Sequence, residues 1–221
     1  MRDRKALGIF GGTFDPIHLG HLRLAEEAVD QLGLAGVRWI PAGQPKHRQA
    51  PQAGADHRLR MARIAVAGNP RFSVDDAEVI AGEASYTVPT LERLRSEVGE
   101  SRPLVLLLGA DAYAGLPTWH RWQDIFSLAH LAVAHRPGFA IAADSLPAAL
   151  ANEHEQRTGA PATLGTSPAG RIVSFAMTPL DISATRIRAL RAEGRSLRYL
   201  LPQAVIDYID LYHLYRNSDG S

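Results

Sequence analysis

The chain has 221 residues, of which 46% are hydrophobic and 21% are charged, as in an ordinary globular protein. Its 24 Lys and Arg residues almost balance 23 Asp and Glu residues, and the net charge of +1 argues against a generally basic nucleic-acid-binding protein. Cysteine is absent, which excludes disulfides, thiolate metal sites and cysteine nucleophiles, and no apolar run approaches the roughly 20 residues of a membrane span.

Five short apolar runs alternate with helical patterns along the chain. The predicted strands are 6–10, 37–40, 104–108, 131–134 and 172–175. The predicted helices are 22–32, 59–66 with Asp56 as its cap, 90–98, 146–155 and one whose first residue is Pro202. This alternation predicts an α/β fold with a doubly wound parallel sheet, whose ligands bind beyond the carboxyl ends of the strands. We expect one domain over residues 1–221, with a small C-terminal helical part at about 182–216.

The loop after the first predicted strand reads GGTFDPIHLGH from Gly11 to His21. Two glycines at a strand end let the backbone approach a ligand closely, and the free N–H groups of the helix that starts near 17–19 favour an anion. His18 and His21 are three residues apart, so both side chains project from one side of the first turn. The alternatives are an ordinary strand–turn–helix corner and a metal-binding pair, although two histidines alone are a weak metal signal.

A second anion-binding pattern, DISATRIR, runs from Asp181 to Arg188. Ser183 is a natural N-cap for a helix, and hydroxyls, free N–H groups and arginine at one helix start are suited to phosphate. By itself, this segment is better explained as a capped helix with solvated arginines. Its pairing with the first pattern favours a phosphate site.

Two segments in the first half of the chain add candidate binding residues. Lys46, His47 and Arg48 gather positive charge after the second predicted strand, which suits a second phosphate group, although a solvated basic loop is the alternative. Tyr86 and Thr87 stand where the third predicted helix begins, and Thr87 could simply cap that helix.

Polar and aromatic residues also follow the most apolar predicted strand. Asp111 comes shortly after that strand and is well placed to bond ribose hydroxyls. Trp119 could stack on an aromatic ring, or it could belong to the core. For Trp122 we favour the core.

Together these segments resemble a known enzyme family. Residues 11–21 match the G-G-x-F-D-P-x-H-x-G-H signature of the HxGH nucleotidyltransferase superfamily. Residues 182–188 are similar to its I-S-S-T-x-I-R motif, with Ala184 in place of the second serine. With the S-Y-T segment at 85–87, the G-x-D segment at 109–111 and the R-P-G segment at 136–138, nearly the whole chain resembles the bacterial nicotinate mononucleotide adenylyltransferase family. Arg48 stands where that family usually has lysine.

The resemblance implies a Rossmann-like nucleotidyltransferase fold and transfer of AMP from ATP to nicotinate mononucleotide, which gives deamido-NAD and pyrophosphate. It implies catalytic roles for His18 and His21, and backbone N–H groups near Thr87 and Trp119 that take the ring carboxylate. The residues it implies for ATP are these two histidines, Gly11, Gly12, Thr13, Phe14, Gly109, Asp111, Arg136, Ile182, Ser183, Thr185 and Arg188. Those for the mononucleotide are Lys46, His47, Tyr86, Thr87 and Trp119.

The expected partners are therefore ATP and nicotinate mononucleotide, with Mg²⁺ arriving on ATP and no metal site made by the protein. We expect a cytoplasmic enzyme without a nucleic-acid or membrane partner, and homo-oligomer formation is left open. The first alternative is adenylyl transfer to nicotinamide mononucleotide or phosphopantetheine. Class I aminoacyl-tRNA synthetases also use H-x-G-H, but this chain has no K-M-S-K-S loop, and a non-catalytic nucleotide sensor would have lost the two histidines.

Overall fold

The computed structural model describes residues 5–45, 50–138 and 141–216. The predicted phosphate-binding residues Lys46 and His47, with Arg48 beside them, lie outside the described residues. The strands of the main sheet are β1 (Leu7–Gly12), β2 (Gly36–Pro41), β4 (Phe72–Val74), β6 (Leu104–Gly109), β7 (His130–His135) and β8 (Ile172–Ala176). Two short strands, β3 (Gln44–Pro45) and β5 (Ala84–Ser85), form a separate parallel pair.

Helices connect the strands and follow the last one. The α-helices are α1 (Leu19–Leu32), α2 (Ala55–Val66), α3 (Ala77–Ala81), α4 (Thr87–Val98), α5 (Ala110–Ala114), α6 (Ile125–Leu128), α7 (Ala148–Arg157), α8 (Ala184–Ala192) and α9 (Gln203–Leu211). Short 3-10 helices lie at Leu116–Thr118, Trp122–Asp124, Ala143–Ser145 and Pro161–Gly165. Within the described ranges, no helix has the length and apolar character needed to cross a membrane.

The main sheet is parallel throughout, in the spatial order β4-β2-β1-β6-β7-β8. The chain winds outward from β1 to one edge and then from β6 to the other, so the direction of winding reverses between β1 and β6. A crevice for ligands forms at such a reversal, beyond the carboxyl ends of the strands. The predicted doubly wound α/β fold is confirmed.

Side chains of β6 alternate between two core clusters, because successive residues of a strand point to opposite faces of the sheet. Val105 and Leu107 pack on the face covered by α1, α2, α8 and α9. Leu104, Leu106 and Leu108 pack on the face covered by α4 and α7. Burial on both faces explains why this strand is apolar at every position from 104 to 108.

The five predicted strands are present, with bounds shifted by a residue or two. The strand β4 escapes prediction because it is only three residues long, partly buried and at the edge of the sheet. The helices predicted at 22–32, 59–66, 90–98 and 146–155 correspond to α1, α2, α4 and α7.

Three predicted helix starts are wrong by one or two residues. Gly54, not Asp56, is the N-cap of α2, and Tyr86, not Thr87, is the N-cap of α4. Pro202 is the N-cap of α9 rather than its first helical residue. In all three cases the helix begins where the backbone leaves a non-helical conformation, without a side-chain hydrogen bond at the cap to mark that point.

Candidate active site

A cavity of about 1330 Å³ opens at the carboxyl ends of β1, β2, β6 and β7. Pockets for a single small ligand usually measure about 300–1,000 Å³, so this cavity has room for two substrates. The predicted site residues that line it are Gly11, Gly12, Thr13, Phe14, His21, Tyr86, Thr87, Gly109, Asp111, Trp119, Arg136, Thr185 and Arg188. Three predicted residues, His18, Ile182 and Ser183, do not line it.

The glycine turn after β1 has a different use for each of its two glycines. Gly11 is exposed to the cavity, and a Cβ atom there would meet nothing within 4 Å. A Cβ atom at Gly12 would lie 2.8 Å from the ring of Phe14, which is buried and has a left-handed φ of 50°. Gly12 therefore lets Phe14 fold back beneath the turn, and the turn presents its backbone to the cavity.

The two histidines stack at the start of α1, with ring centroids 3.7 Å apart. His18 is the N-cap of this helix, and its backbone N–H donates to Nδ1 of His21 at 3.2 Å. Because Nδ1 of His21 accepts this bond, a neutral His21 ring carries its proton on Nε2 and can donate from there. His21 lines the cavity, and the ring of His18 stacks on the ring of His21.

Burial sets the charge of His18. Its side chain is buried, and this desolvation lowers the pKa of His18 to about 4, so the ring is neutral near pH 7. Its Nδ1 has no hydrogen-bond partner in the described part of the chain. The residues of that part also include no group of three His, Asp or Glu side chains that could hold a metal ion. The metal-pair interpretation of His18 and His21 therefore lacks a third ligand there.

The start of α8 reaches the turn after β1. Ser183 is the N-cap, as predicted, and its hydroxyl accepts from the backbone N–H of Arg186 at 3.2 Å. Arg188 donates to the backbone oxygen of Asp15 at 2.7 Å and lies 3.4 Å from the hydroxyl oxygen of Thr185. Two segments more than 160 residues apart in sequence thus meet at one wall of the cavity.

A second part of the cavity lining carries aromatic and polar residues from α4, α5 and the segment after α5. Trp119 is partly buried and packs against the α4 face of the core, whereas Asp111 is exposed in the first turn of α5. The backbone N–H of Trp119 donates to the oxygen of Leu116 at 2.9 Å. The expected binding of the ring carboxylate by backbone N–H groups near Trp119 stays a prediction. Trp122 belongs to the core, as expected.

Comparisons with known proteins agree with this geometry. The cytidylyltransferase-like family model matches residues 9–190. A protein of Dechloromonas aromatica (strain RCB) is 63% identical, over 96% of this chain and 98% of its own length. One of Laribacter hongkongensis (strain HLHK9) is 51% identical, over 97% of this chain and 96% of its own. Both are named "Probable nicotinate-nucleotide adenylyltransferase". The chain belongs to the nicotinate-nucleotide adenylyltransferase family.

A solved structure has the same fold. The structure of Plasmodium falciparum nicotinic acid mononucleotide adenylyltransferase complexed with NaAD has a TM-score of 0.70 at 16% identity. The match covers 96% of this chain and 97% of that one. The family model and the similar sequences make this member of the nicotinate-nucleotide adenylyltransferase family a nucleotidyltransferase, and the solved structure confirms the Rossmann-like fold that the sequence predicts.

The buried carboxylate of Asp15 connects the loop after β1 to other segments of this adenylyltransferase family member. Asp15 is only 5% exposed. Its carboxylate accepts the backbone N–H groups of Gln52 at 2.8 Å and Ala53 at 3.1 Å, and the hydroxyl of Tyr215 at 2.8 Å. The site loop after β1 is thereby tied to the segment at 50–53 and to the region after α9.

A buried arginine of α2 acts beside Asp15. Arg58 is 1% exposed, and burial lowers the pKa of its guanidinium, an effect that the charge of Asp15 opposes. It donates to four backbone oxygens that surround the ends of β1 and β2, those of Thr13, Ala42, Gly43 and Ala53. Sequence reasoning missed Arg58, because nothing in the pattern of a helix distinguishes an arginine bound to backbone oxygens from a solvated one.

Proposed function

We propose that this enzyme transfers the adenylyl group of ATP to nicotinate mononucleotide, which gives deamido-NAD and pyrophosphate. The observation that carries this proposal is the meeting of His21, Thr185 and Arg188 at one wall of a cavity large enough for two substrates. The naming of the family supports the choice of substrates.

The reaction requires positioning more than acid–base chemistry. An oxygen of the mononucleotide 5′-phosphate forms a bond to the α-phosphorus of ATP, the bond from that phosphorus to the bridging oxygen breaks, and pyrophosphate leaves with the electron pair. The attacking group is already an anion, so no general base is needed. Two polyanions must instead be held in line, and such alignment can supply about 7–11 kcal/mol of a barrier.

The donors for ATP come from the two helix starts. His21 donates from Nε2 to the phosphoryl oxygens, where charge develops in the transition state. Thr185 and Arg188, with the cap at Ser183, anchor the β- and γ-phosphates near the N–H groups of α8. Gly109 leaves room for the adenine ring, Asp111 takes the ribose and Arg136 flanks the adenosine.

The acceptor occupies the wall formed by α4 and Trp119. Lys46 and His47 take the mononucleotide phosphate, and Trp119 stacks on the pyridine ring. The N–H groups at the start of α4, at Thr87 and Val88, take the ring carboxylate. An amide in that place brings no negative charge to those donors, so this arrangement favours nicotinate over nicotinamide.

Nucleotidyltransferases of this kind handle ATP with a divalent cation, and we propose Mg²⁺. The residues of the site fit a cation carried by the substrate, because the Asp15 carboxylate is already occupied by three protein donors. Mg²⁺ usually keeps several waters and binds phosphate oxygens rather than a cage of protein side chains. When bound, the ion neutralises charge on the ATP phosphates.

Pyrophosphate release tests the proposal. The purified enzyme is given ATP with nicotinate mononucleotide, nicotinamide mononucleotide or phosphopantetheine. We expect the highest kcat/KM with nicotinate mononucleotide, and a fall in kcat of about a hundredfold in His21→Ala because one charge-stabilising donor is lost. His213→Asn, an exposed position outside the cavity, is the control and should keep full activity. A preference for either other acceptor would contradict the proposed substrate.

A further inference from the structure

A carboxyl group on the acceptor wall of the cavity has no place in the roles assigned above. Glu78 belongs to the short helix α3 and lines the cavity together with Ser85, Tyr86 and Thr87. Its Oε1 accepts a hydrogen bond from the hydroxyl of Thr90 at 2.5 Å, and Ser85 is a second hydrogen-bond partner. Burial raises the pKa of the Glu78 carboxyl, although these two hydroxyls act in the opposite direction.

The partners of Glu78 tie three segments together. The hydroxyl oxygen of Ser85, on β5, accepts the backbone N–H of Gly43 at 2.8 Å, just after β2. A Cβ atom at Gly43 would lie 2.2 Å from the backbone oxygen of Glu78, so α3 packs directly on the loop that follows β2. Thr90 is in the first turns of α4. One carboxyl therefore joins α3, β5 and α4, and β5 in turn pairs with β3.

The two hydroxyl partners stand on either side of the start of α4. Tyr86 is its N-cap, with an extended backbone, and the Tyr86 side chain makes no capping hydrogen bond to the first N–H groups of the helix. Pro89 has no N–H to offer. The donors that remain at this helix start are those of Thr87 and Val88, and Thr87 lines the cavity. The direction of these donors depends on the anchors at Ser85 and Thr90.

We infer that Glu78 is a positioning residue for the mononucleotide. Its carboxyl accepts hydrogen bonds from the hydroxyls of Ser85 and Thr90, and these bonds fix the orientation of the backbone N–H groups of Thr87 and Val88 that bind the mononucleotide. This inference rests on the proposed function. It concerns only the acceptor wall, because no contact of Glu78 described above reaches the ATP-binding residues of α1 or α8. The loss of Glu78 should therefore weaken binding of the mononucleotide and leave binding of ATP nearly unchanged.

The test separates the two Michaelis constants. In Glu78→Ala, we expect the KM for nicotinate mononucleotide to rise about tenfold or more while the KM for ATP changes less than about twofold. Glu78→Gln keeps an acceptor oxygen for the hydroxyls and should restore the acceptor KM to within about threefold of wild type. Thr90→Val keeps the side-chain shape without the hydroxyl and should raise the acceptor KM about threefold. Glu83→Ala, exposed between α3 and β5, is the matched control and should change neither constant.

An equal rise of both KM values, or an unchanged acceptor KM in Glu78→Ala and Thr90→Val, would overturn the inference. If Glu78→Ala does not fold, Thr90→Val still gives the split between the two constants, with Glu78→Gln as its near-wild-type reference. A wild-type enzyme that uses another acceptor instead would contradict the proposed function, and the same variants measured with that acceptor would still test Glu78.

Discussion

The protonation of His18 couples the active site to pH. Burial lowers the pKa of His18 to about 4 in the folded chain, against 6.5 for an ordinary histidine. The folded state therefore favours the neutral ring, and this contribution to stability is complete above pH 6.5 and is lost as the pH falls from 6.5 towards 4. We predict that the melting temperature of the wild type falls over this range, partly because His18 takes up a proton in the unfolded chain and stays neutral in the folded one.

A variant with a neutral side chain isolates this effect. Asparagine is a good N-cap, so His18→Asn should keep the start of α1 and fold normally at pH 7. Between pH 7 and pH 5, its melting temperature should fall less than that of the wild type. Other buried histidines, such as His130, titrate in both proteins and cancel in the difference. Parallel melting curves for the two proteins across this range would show that His18 does not carry the effect.

The two tryptophans that follow α5 should respond differently to substitution. Trp119 lines the cavity, so Trp119→Ala should raise the KM for nicotinate mononucleotide about tenfold and the KM for ATP much less, because ring stacking is lost. Trp122 lies in the core against Phe126, so Trp122→Phe should lower the melting temperature and leave both constants unchanged. Steady-state kinetics with each substrate varied in turn, together with thermal unfolding, give both results. An effect of Trp119→Ala on stability alone would place this residue in the core.

At the scale of elements, α2 holds the ends of β1 and β2 through a single side chain. Arg58 donates to four backbone oxygens at the strand ends and in the segment before α2, and Arg58 itself is only 1% exposed. Methionine can fill the space but cannot donate. We predict that Arg58→Met lowers the free energy of unfolding by roughly 3 kcal/mol or more, measured by urea unfolding.

The same helix supplies the control for Arg58. Arg60 is exposed on α2, and surface substitutions of this kind usually change stability by less than about 0.5 kcal/mol. Arg60→Met should therefore unfold at nearly the wild-type urea concentration. Equal stability of the two variants would mean that the four backbone oxygens do not need Arg58.

Across the whole molecule, the sequence predicts what is local or periodic. The apolar run at 104–108 predicts β6, and the residues at 11–21 predict both the glycine turn and the start of α1. The functions of Arg58 and Glu78 escape prediction, because their partners are backbone oxygens and hydroxyls of other segments that become neighbours only in the folded chain. The roles assigned to individual site residues remain predictions, and those of Lys46 and His47 concern residues outside the described ranges.

One contact between residues far apart in sequence joins the segment after α9 to the turn after β1. The hydroxyl of Tyr215, 8% exposed, donates to the carboxylate of Asp15, 200 positions away in sequence. Burial and the Asp15 charge raise the pKa of Tyr215, which keeps it a donor. Tyr215→Phe removes one of three donors to a buried carboxylate, so we predict a loss of about 1–2 kcal/mol in the free energy of unfolding. Tyr199→Phe, 88% exposed, should change nothing, and equal urea midpoints would mean that Asp15 does not need this hydroxyl.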